Sequence, residues 1–212
     1  MCAVARLSVV LISIVMMGAC RHADVPNADS LRFISAEEAA ALPDLERAGF
    51  DIDDTLLFST PAFDVGQASP HAYDTEPFWT LVNGSDRGNS QVKSSTRSIV
   101  ARYQQRGIEI YAITARSGFG GDGLRAFLSE ELGIPMSHVF FEPDGKAERI
   151  RSLGLDVYFG DSDSDIEDAM EAGVQAVRVQ RSPESSYRNK DGSLRKYQPG
   201  RYGEVVVADS EN

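Results

Sequence analysis

The sequence has few cysteines and histidines and no excess of basic residues. Its two cysteines, Cys2 and Cys20, lie within the first twenty residues, so the rest of the chain offers neither an internal disulfide nor a thiol nucleophile. The histidines, His22, His71 and His138, are too scattered to supply metal ligands at a regular spacing. These absences exclude a cysteine zinc site and catalysis by a cysteine.

The balance of charge is acidic, with a formal net charge of −11. Nucleic acid and anionic membrane surfaces bind basic faces, so the sequence predicts neither as a general partner. A small anionic substrate is compatible with this charge where a cation or local basic groups compensate it. With 212 residues, of which 42% are hydrophobic, the chain is expected to form one globular domain with a buried core.

The first twenty residues have the pattern of an export signal. Arg6 precedes the apolar run Leu7–Met17, which is too short for a comfortable transmembrane span, and two small residues come before Cys20. The letters "MGAC" resemble the lipobox of bacterial lipoproteins, in which the cysteine is lipidated, although methionine stands where leucine is usual. We therefore expect a lipoprotein-type signal peptide at 1–20, a tether at 21–34, and an exported protein that is periplasmic or anchored to a membrane through lipidated Cys20.

From Ser35 onward the chain alternates predicted strands and helices. Ser35 and Glu38, three residues apart, form a capping box that opens a short helix. The later segments predict, in order, strand "RAGFDID", helix "SSTRSIVARYQQRG", strand "IEIYAIT", helix "LRAFLSEELG", strand "HVFFE", helix "KAERIRSLG", strand "DVYFGD", helix "DIEDAMEAG" and strand "VQAVRVQ". This alternation predicts an α/β fold for 35–212, a Rossmann-like doubly wound parallel sheet, with a small cap-like insert after the first strand at about 59–89.

Three of the predicted strands end in polar residues. Asp51 and Asp53 follow the first strand, Thr114 and Arg116 close the second, and a second acidic turn, "GDSDSD", follows a third from Asp161 onward. Because ligands of such sheets bind beyond the carboxyl ends of the strands, we expect these side chains to meet. A solvated acidic turn would explain one such cluster but not two. Two carboxylate clusters at one edge repel unless a divalent cation lies between them, and oxygen ligands of this kind suit magnesium.

These motifs resemble those of the haloacid dehalogenase (HAD) superfamily. "DIDDT" is similar to its DxDxT signature, "ITAR" to its strand-end threonine, Lys146 to its single lysine and "GDSDSD" to its closing acidic motif, in the same order along the chain. "FDIDDTLLFSTPAF", "PFWTLVNG" and "YFGDSDSDI" more closely resemble the bacterial class B acid phosphatases, exported enzymes that hydrolyse phosphomonoesters including nucleotides. Class C enzymes typically carry four consecutive aspartates in the first motif, so Ile52 favours class B.

The resemblance implies a role for each acidic residue. Asp51 would be the nucleophile, a carboxylate that attacks phosphorus in line and forms an aspartyl-phosphate. Asp53 would protonate the leaving alcohol and later take a proton from the attacking water, which requires a protonated Asp53 when substrate binds and favours mildly acidic pH. Mg²⁺ would be held by the Asp51 side chain, the Asp53 backbone carbonyl and Asp161, with Asp165 as a further ligand or one step outside the ligand set.

Four further residues are expected at the phosphate. Lys146 would bridge the nucleophile and the phosphate, Thr114 would hydrogen-bond a phosphate oxygen, and Arg116 would add a charge-assisted contact. Ala115 stands where class B enzymes usually have glycine, which could tighten the backbone near the phosphate. Taken alone, Lys146 would more often be an exposed lysine that starts a helix, and Arg116 part of a surface salt bridge. Their context favours the site.

Aromatic residues of the insert and of the late loop "SPESSYRN" are candidates for a leaving-group pocket. In the class B resemblance Phe63, Trp79 and Tyr187 match the positions that line it, where a nucleobase or aryl group would stack. Packing in the core is the competing interpretation for Phe78 and Trp79. Phe63 and Tyr187 are flanked by polar and turn residues and are the better candidates.

Other residues near these motifs are given structural interpretations. Asp54 is interpreted as a structural hydrogen-bond acceptor and Thr55 as the residue that orients its loop. The basic tail "RNKDGSLRKYQPGRYGE" favours a solvated loop or a subunit contact over an anion site. The resemblance also implies a homo-oligomer, since class B enzymes form tetramers.

Three functions stay open at this point. The favoured one is a magnesium-dependent phosphomonoesterase of broad specificity, with nucleotides and aryl phosphates among its substrates. The second is a phosphatase of the same mechanism devoted to another metabolite, such as a cofactor or a sugar phosphate. The third is a lipoprotein that binds nucleotides or cations without turnover, and the presence of every expected catalytic position argues against it. A dehalogenase is disfavoured because Asp53 supplies the acid that ester cleavage needs.

Overall fold

The computed structural model of the chain describes residues 31–209. The predicted signal peptide, Cys20 and most of the predicted tether lie outside the described residues. The strands are β1 Phe33–Ile34, β2 Arg47–Phe50, β3 Leu57–Phe58, β4 Gln91–Val92, β5 Glu109–Thr114, β6 Val139–Phe141, β7 Val157–Gly160, β8 Gln175–Val179 and β9 Val205–Val207. Seven of them form a parallel sheet at the centre of the domain, in the order β1-β9-β8-β7-β2-β5-β6, and a separate antiparallel pair joins β3 to β4.

Helices alternate with these strands along the chain, which confirms the predicted doubly wound α/β fold. They are α1 Ala36–Ala40, α2 Thr60–Ala68, α3 Glu76–Asn89, α4 Ser94–Gln105, α5 Asp122–Leu132, α6 Ala147–Ser152 and α7 Asp163–Ala172, with a 3₁₀ turn at Met136–His138. The described part of the chain, 31–209, contains no helix that is both long and apolar enough to cross a membrane.

The signals that start and stop the helices act as the sequence predicts. The Glu38 amide donates to Ser35 Oγ at 3.1 Å while the Ser35 amide donates to the Glu38 carboxylate at 2.7 Å, so the capping box of α1 is complete. Gly133 ends α5 with a φ of 64°, a left-handed conformation that disfavours residues with a Cβ.

The sheet is buried on both faces by two separate layers of side chains. On one face Phe50 stacks on Phe159 with ring centroids 4.6 Å apart, and both pack with residues of α1, α4 and α5. On the other face Tyr111 and Tyr158 pack with residues of α6 and α7. With both faces covered, only the edges and ends of the strands remain for binding.

The edge strand β1 and its neighbour β9 were absent from the sequence prediction. Phe33 and Ile34 form β1 and pair with Val206 and Val207 of β9. The predicted tether, 21–34, therefore overlaps a strand of the sheet. Strands of two and three residues are too short to show a hydrophobic period, which is why the sequence pattern does not reveal them.

The predicted insert corresponds to the helical hairpin α2–α3, which lies between β3 and β4. Phe78, Trp79 and Val82 of α3 form a small core of its own, with Phe63 of α2 packed against it. Gly66 permits the close crossing of the two helices, since a Cβ there would lie 2.5 Å from Val82 Cγ2.

Gly160, the last residue of β7, generates the first prediction. A Cβ at this position would lie 2.2 Å from the Asp165 Cβ, so Gly160→Ala forces α7 away from the strand end. We expect it to lower the free energy of unfolding by about 2 kcal/mol or more, measured by urea denaturation.

The matched control is Gly84→Ala in the interior of α3, where a Cβ meets nothing within 4 Å. It is expected to be neutral or to stabilise the protein by up to about 1 kcal/mol, because alanine favours helix. A Gly160→Ala variant as stable as the unsubstituted protein would contradict the tight approach of Asp165.

Candidate active site

The carboxyl ends of three adjacent strands bring the predicted site residues together. β2 lies between β5 and β7, so Asp51 after β2 is flanked by Thr114 at the end of β5 and Asp161 after β7. The Asp51 amide donates to the Phe159 carbonyl at 2.7 Å, which fixes the start of this loop to the neighbouring strand. The topology therefore places the acidic motifs at one edge, as the strand ends predict.

Asp51, Asp161 and Asp165 form a buried carboxylate cluster. One oxygen of each lies within 4.8 Å of the other two. Asp165 is held in the first turn of α7, where its Oδ2 accepts hydrogen bonds from the Ser162 amide at 3.0 Å and from Ser162 Oγ at 2.7 Å. This capping box uses Asp165 Oδ2 and leaves Oδ1 to accept from Lys146 Nζ.

Lys146 supplies the positive charge inside this cluster. Its Nζ donates to Asp51 Oδ1 at 2.5 Å and to Asp165 Oδ1 at 2.6 Å, and only 5% of its side chain is exposed. Burial by itself lowers the pKa of a lysine, but the charges of Asp165 and Asp51 outweigh it and raise the pKa of Lys146 well above its ordinary value. The side chain is therefore a buried ammonium, not the exposed lysine of the competing interpretation.

One ammonium does not compensate three carboxylates. Burial raises the pKa of Asp51 well above its ordinary value; Lys146 opposes this shift, and the charges of Asp165 and Asp161 add to it. Burial likewise raises the pKa of Asp161 to about 7, against the opposing charge of Arg181. The cluster is short of positive charge, and its hard oxygen donors fit a magnesium ion.

Asp53 lies only two residues from Asp51 but has different partners. Its carboxylate accepts from Arg116 Nη2 at 2.6 Å, from Ser59 Oγ at 2.6 Å and from Thr114 Oγ1 at 3.3 Å, and 27% of the side chain is exposed. Burial alone would raise the pKa of Asp53, but the charge and hydrogen bonds of Arg116 outweigh it and hold the pKa below its ordinary value. The two aspartates therefore have opposite electrostatic environments.

Arg116 is buried between two carboxylates, with 1% of its side chain exposed. Its guanidinium donates to Asp53, to Asp86 at 2.6 Å and to the side-chain oxygen of Asn83 at 3.1 Å. This burial excludes the surface salt bridge that we considered as an alternative. These partners are protein groups, so the predicted contact of Arg116 with phosphate stays a prediction.

The rest of the predicted phosphate loop lies beside Arg116. Thr114 Oγ1 accepts the Arg116 amide at 3.1 Å and donates to Asp53. Ala115 between them is exposed. The roles of both residues toward phosphate remain predictions.

Two residues of α3 that the sequence reasoning missed complete the surroundings of Arg116. Asp86 is fully buried, and Asn83 Nδ2 donates to the carbonyls of Ser117 and Phe119 at 3.0 and 2.8 Å. The stretch "NGSDR" has the composition of a solvated helix face, so only the fold shows that these side chains point inward.

Arg181 was also missed. Its buried guanidinium donates to the Asp161 carboxylate, lies 3.7 Å from Asp54 and donates to the Arg195 carbonyl at 2.7 Å. A usable signal existed, because Arg181 comes two residues after β8 and therefore at the same sheet edge as the other site residues.

Residues with structural interpretations have matching contacts. Asp54 has a φ of 56°, its Oδ2 accepts Ser185 Oγ at 2.5 Å, and it thereby joins the first motif to the late loop. Thr55 Oγ1 donates to Asp161 Oδ1 at 3.4 Å. Asp163, to which the sequence assigns no role, accepts from Arg178 at 3.0 Å.

The aromatic candidates divide into two groups. Trp79 is 5% exposed, its Nε1 donates to Asp74 Oδ1 at 2.8 Å, and Phe78 is 1% exposed, so both pack within the insert. Phe63 is half-buried, and the Arg116 guanidinium lies 5.0 Å from its ring centroid. Tyr187 is 40% exposed, with the Arg181 guanidinium 5.3 Å from its ring. Phe63 and Tyr187 therefore contact the site residues, as a pocket lining requires.

Solved structures share this architecture. CbbY from Rhodobacter sphaeroides in complex with phosphate superposes with a TM-score of 0.54 at 15% identity, over 79% of this chain and 95% of that one. A HAD family hydrolase from Deinococcus radiodurans R1 with bound phosphate and sodium gives 0.50 at 13% identity, over 78% and 91%. The chain therefore has the fold of these proteins, a Rossmann-like HAD fold.

Sequence relatives identify the family, although no family model matches the chain. A class B acid phosphatase from Marinomonas sp. (strain MWYL1) is 36% identical over 174 residues, 77% of this chain and 71% of that protein. A class B acid phosphatase from Morganella morganii is 35% identical over 176 residues, 77% and 72% of the two chains. The chain belongs to the class B acid phosphatase family and is a phosphomonoester hydrolase.

The buried pair of Arg181 and Asp161 generates the second prediction. Arg181→Gln leaves the Asp161 carboxylate buried without its partner, and such a change typically costs about 3 kcal/mol or more of unfolding free energy. The double variant Arg181→Gln/Asp161→Asn is expected to lose less than the sum of the losses of Arg181→Gln and Asp161→Asn, as measured by urea denaturation of the three variants and the unsubstituted protein.

Arg201→Gln is the control, since Arg201 is half-exposed and 3.9 Å from Asp163. Its effect is expected to stay within about 0.5 kcal/mol. Strict additivity of the Arg181 and Asp161 losses would show that the two side chains do not interact.

Proposed function

We propose that this phosphatase is exported, depends on magnesium, and hydrolyses nucleotides and aryl phosphates through an aspartyl-phosphate on Asp51. One observation carries the proposal. Asp51 lies in the buried cluster with Lys146 and Asp165, whereas Asp53, two residues on, turns toward Arg116 and is partly exposed. One carboxylate is thereby available to phosphorus and the other to the leaving oxygen.

In the first step Asp51 attacks phosphorus, and the bond between phosphorus and the ester oxygen breaks. Asp53 gives its proton to that oxygen, so the alcohol leaves neutral. In the second step Asp53 takes a proton from water, which attacks phosphorus and releases Asp51. Arg116 holds Asp53 charged when no substrate is bound, and the negative phosphate then favours proton uptake by Asp53. This requirement favours mildly acidic pH.

Charge compensation around the phosphate falls to the buried cations and to the metal. Asp51, Asp161 and Asp165, with the Asp53 carbonyl, would hold Mg²⁺, which when bound neutralises charge on the phosphoryl oxygens. Lys146 lies against Asp51 and is placed to contact a phosphoryl group attached there. Thr114, with its hydroxyl beside Asp53, is placed to donate to a phosphate oxygen once substrate binds.

The aromatic side chains beside the site, Phe63 and Tyr187, favour substrates with a flat leaving group. Phe63 contacts Arg116, and the exposed Tyr187 lies on the late loop that Asp54 holds through Ser185. A nucleobase or a nitrophenyl ring would stack on such side chains. The alternative is a phosphatase devoted to a cofactor or sugar phosphate, and a substrate panel separates the two. Family membership favours turnover over the alternative of a binding-only lipoprotein.

The third prediction tests nucleophile and metal together. The full-length protein is expected to release phosphate from p-nitrophenyl phosphate and from a nucleotide panel with Mg²⁺, and to lose this activity in EDTA. Asp51→Asn should lower kcat by roughly 10³-fold or more, because the amide cannot attack phosphorus. Phosphate release across acidic to neutral pH is the measurement.

A readout without catalysis accompanies this assay. Mg²⁺ at a hundredfold excess over its dissociation constant should stabilise the protein by about 2.7 kcal/mol in thermal unfolding, and Asp161→Asn should abolish the gain. The control Asp156→Asn, which changes a carboxylate bound to the Glu46 and Arg47 amides at the opposite sheet edge, should keep it. An active Asp51→Asn protein would rule out the proposed nucleophile.

The proposals of export and lipidation depend on the predicted signal peptide, 1–20, which lies outside the described residues. The fourth prediction is that full-length protein expressed in a bacterium sediments with membranes and incorporates labelled palmitate. Cys20→Ala should abolish both, because it removes the sulfur to which the proposed lipid would be attached. Equal labelling of the Cys20→Ala and unsubstituted proteins would overturn the proposed anchor.

A further inference from the structure

Asp86 is a fully buried carboxylate for which the reaction described above gives no role. It lies on α3 in the insert, and its Oδ2 accepts from Arg116 Nη1 at 2.6 Å. Its Oδ1 accepts from Arg116 Nη2 at 3.2 Å and from Ser90 Oγ at 2.6 Å. Asp86 thus binds one edge of the guanidinium at two points, and Ser90 fixes the carboxylate in turn.

The other edge of the same guanidinium faces Asp53. Arg116 Nε lies 3.0 Å from Asp53 Oδ2, and Nη2 lies 2.6 Å from Oδ1. A guanidinium is planar and rigid, so the orientation of one edge determines that of the other. The Asp86 contacts therefore restrict where Asp53 can place its oxygens.

We propose that Asp86 is a positioning residue for proton transfer to the leaving group, acting through Arg116 on Asp53. The inference rests on the proposed function in taking Asp53 as the general acid. Asp86 belongs to the insert and not to a strand end. The position of Asp53 therefore depends in part on the position of the insert relative to the sheet.

Asn83 supports the same link one turn earlier on α3. Its side-chain oxygen accepts from Arg116 Nη1 at 3.1 Å, and its side-chain nitrogen, Nδ2, donates to the carbonyls of Ser117 and Phe119. Helix α3 is thereby joined both to the guanidinium of Arg116 and to the loop that follows Arg116 in the chain. A shift of α3 would move Arg116 with respect to Asp53.

A positioning role predicts an effect that depends on the leaving group. When the ester bond breaks, its electron pair goes to the ester oxygen. p-Nitrophenolate is a weakly basic leaving group and departs with little help, whereas an alkoxide needs the proton that Asp53 supplies. A loss of structure lowers both rates together, but a misplaced Asp53 slows the alkyl ester more.

The fifth prediction uses Asp86→Asn in the full-length protein with Mg²⁺, comparing glycerol phosphate with p-nitrophenyl phosphate. The ratio of kcat/KM for the alkyl ester to kcat/KM for the aryl ester should fall by about tenfold or more, a part of the roughly 10²–10⁴-fold that a general acid contributes. This ratio reports the first step, in which the leaving group departs, and not the hydrolysis step that both substrates share. KM should change little for either substrate. Asp86→Glu, which keeps the carboxylate, should give an intermediate ratio.

Three companion variants make the result decisive. Asp53→Asn defines the full leaving-group effect, and Asp156→Asn, at the opposite sheet edge, should leave the ratio unchanged. If Asp86→Asn does not fold, Ser90→Ala removes one hydrogen bond from Asp86 and should shift the ratio in the same direction by about twofold.

An equal loss on both substrates, or an unchanged ratio in a folded Asp86→Asn or Ser90→Ala protein, would overturn the inference. The Asp51→Asn protein separates this failure from a failure of the proposed function. If Asp51→Asn is inactive and the Asp86 ratio is unchanged, only the positioning role is lost. If Asp51→Asn turns over, the proposed mechanism itself is wrong.

Discussion

Several carboxylates lie close together at the carboxyl ends of the strands of this sheet. Their mutual repulsion requires that basic side chains be buried beside them. Asp51, Asp161 and Asp165 form the buried cluster there, and Lys146 pairs with two of them, Asp51 and Asp165. Three cations, Lys146, Arg116 and Arg181, are buried with them. Burying any of these charges alone would cost several kcal/mol, so each is tolerated only with its partners in place. The site is a network in which no single ion pair can be considered by itself.

This compensation also ties distant parts of the chain to the strand ends. Lys146 comes from the start of α6, Arg116 from the loop after β5 and Arg181 from the segment after β8. Arg181 in turn holds the backbone of Arg195 in the long loop before β9, while Asp86 holds the insert. The sheet supplies the meeting point, and the charge pairs fix the loops and the insert around it.

The sequence predicts which residues lie at the strand ends, but it does not predict which charged residues pair with them. The strand ends that carry Asp51, Thr114 and Asp161 were predictable, because apolar runs and helix caps locate the strands and parallel topology brings their ends together. Asp86 and Arg181 were not, since each is an ordinary charged residue until the fold places an opposite charge beside it. The strands β1 and β9 are too short to show a hydrophobic period. The burial of Trp79 was not predictable either, because only the fold shows that its Nε1 donates to Asp74.

The two aspartates of the first motif show why the charges must be considered together with the ligands. Comparing their pKa values alone would assign Asp51, whose pKa is raised, as the acid and Asp53, whose pKa is lowered, as the nucleophile. The surroundings argue for the reverse. In the proposed mechanism, a divalent cation held by Asp51, Asp161 and Asp165 would favour their charged forms, and a phosphate beside Asp53 would disfavour its charge. Binding of the two ligands would therefore reverse the order of the two pKa values, so that Asp51 is ionised to attack and Asp53 is protonated to donate. In the same mechanism Arg116 would hold the general acid in place between turnovers, and the contacts of Asp86 would fix the position of Arg116.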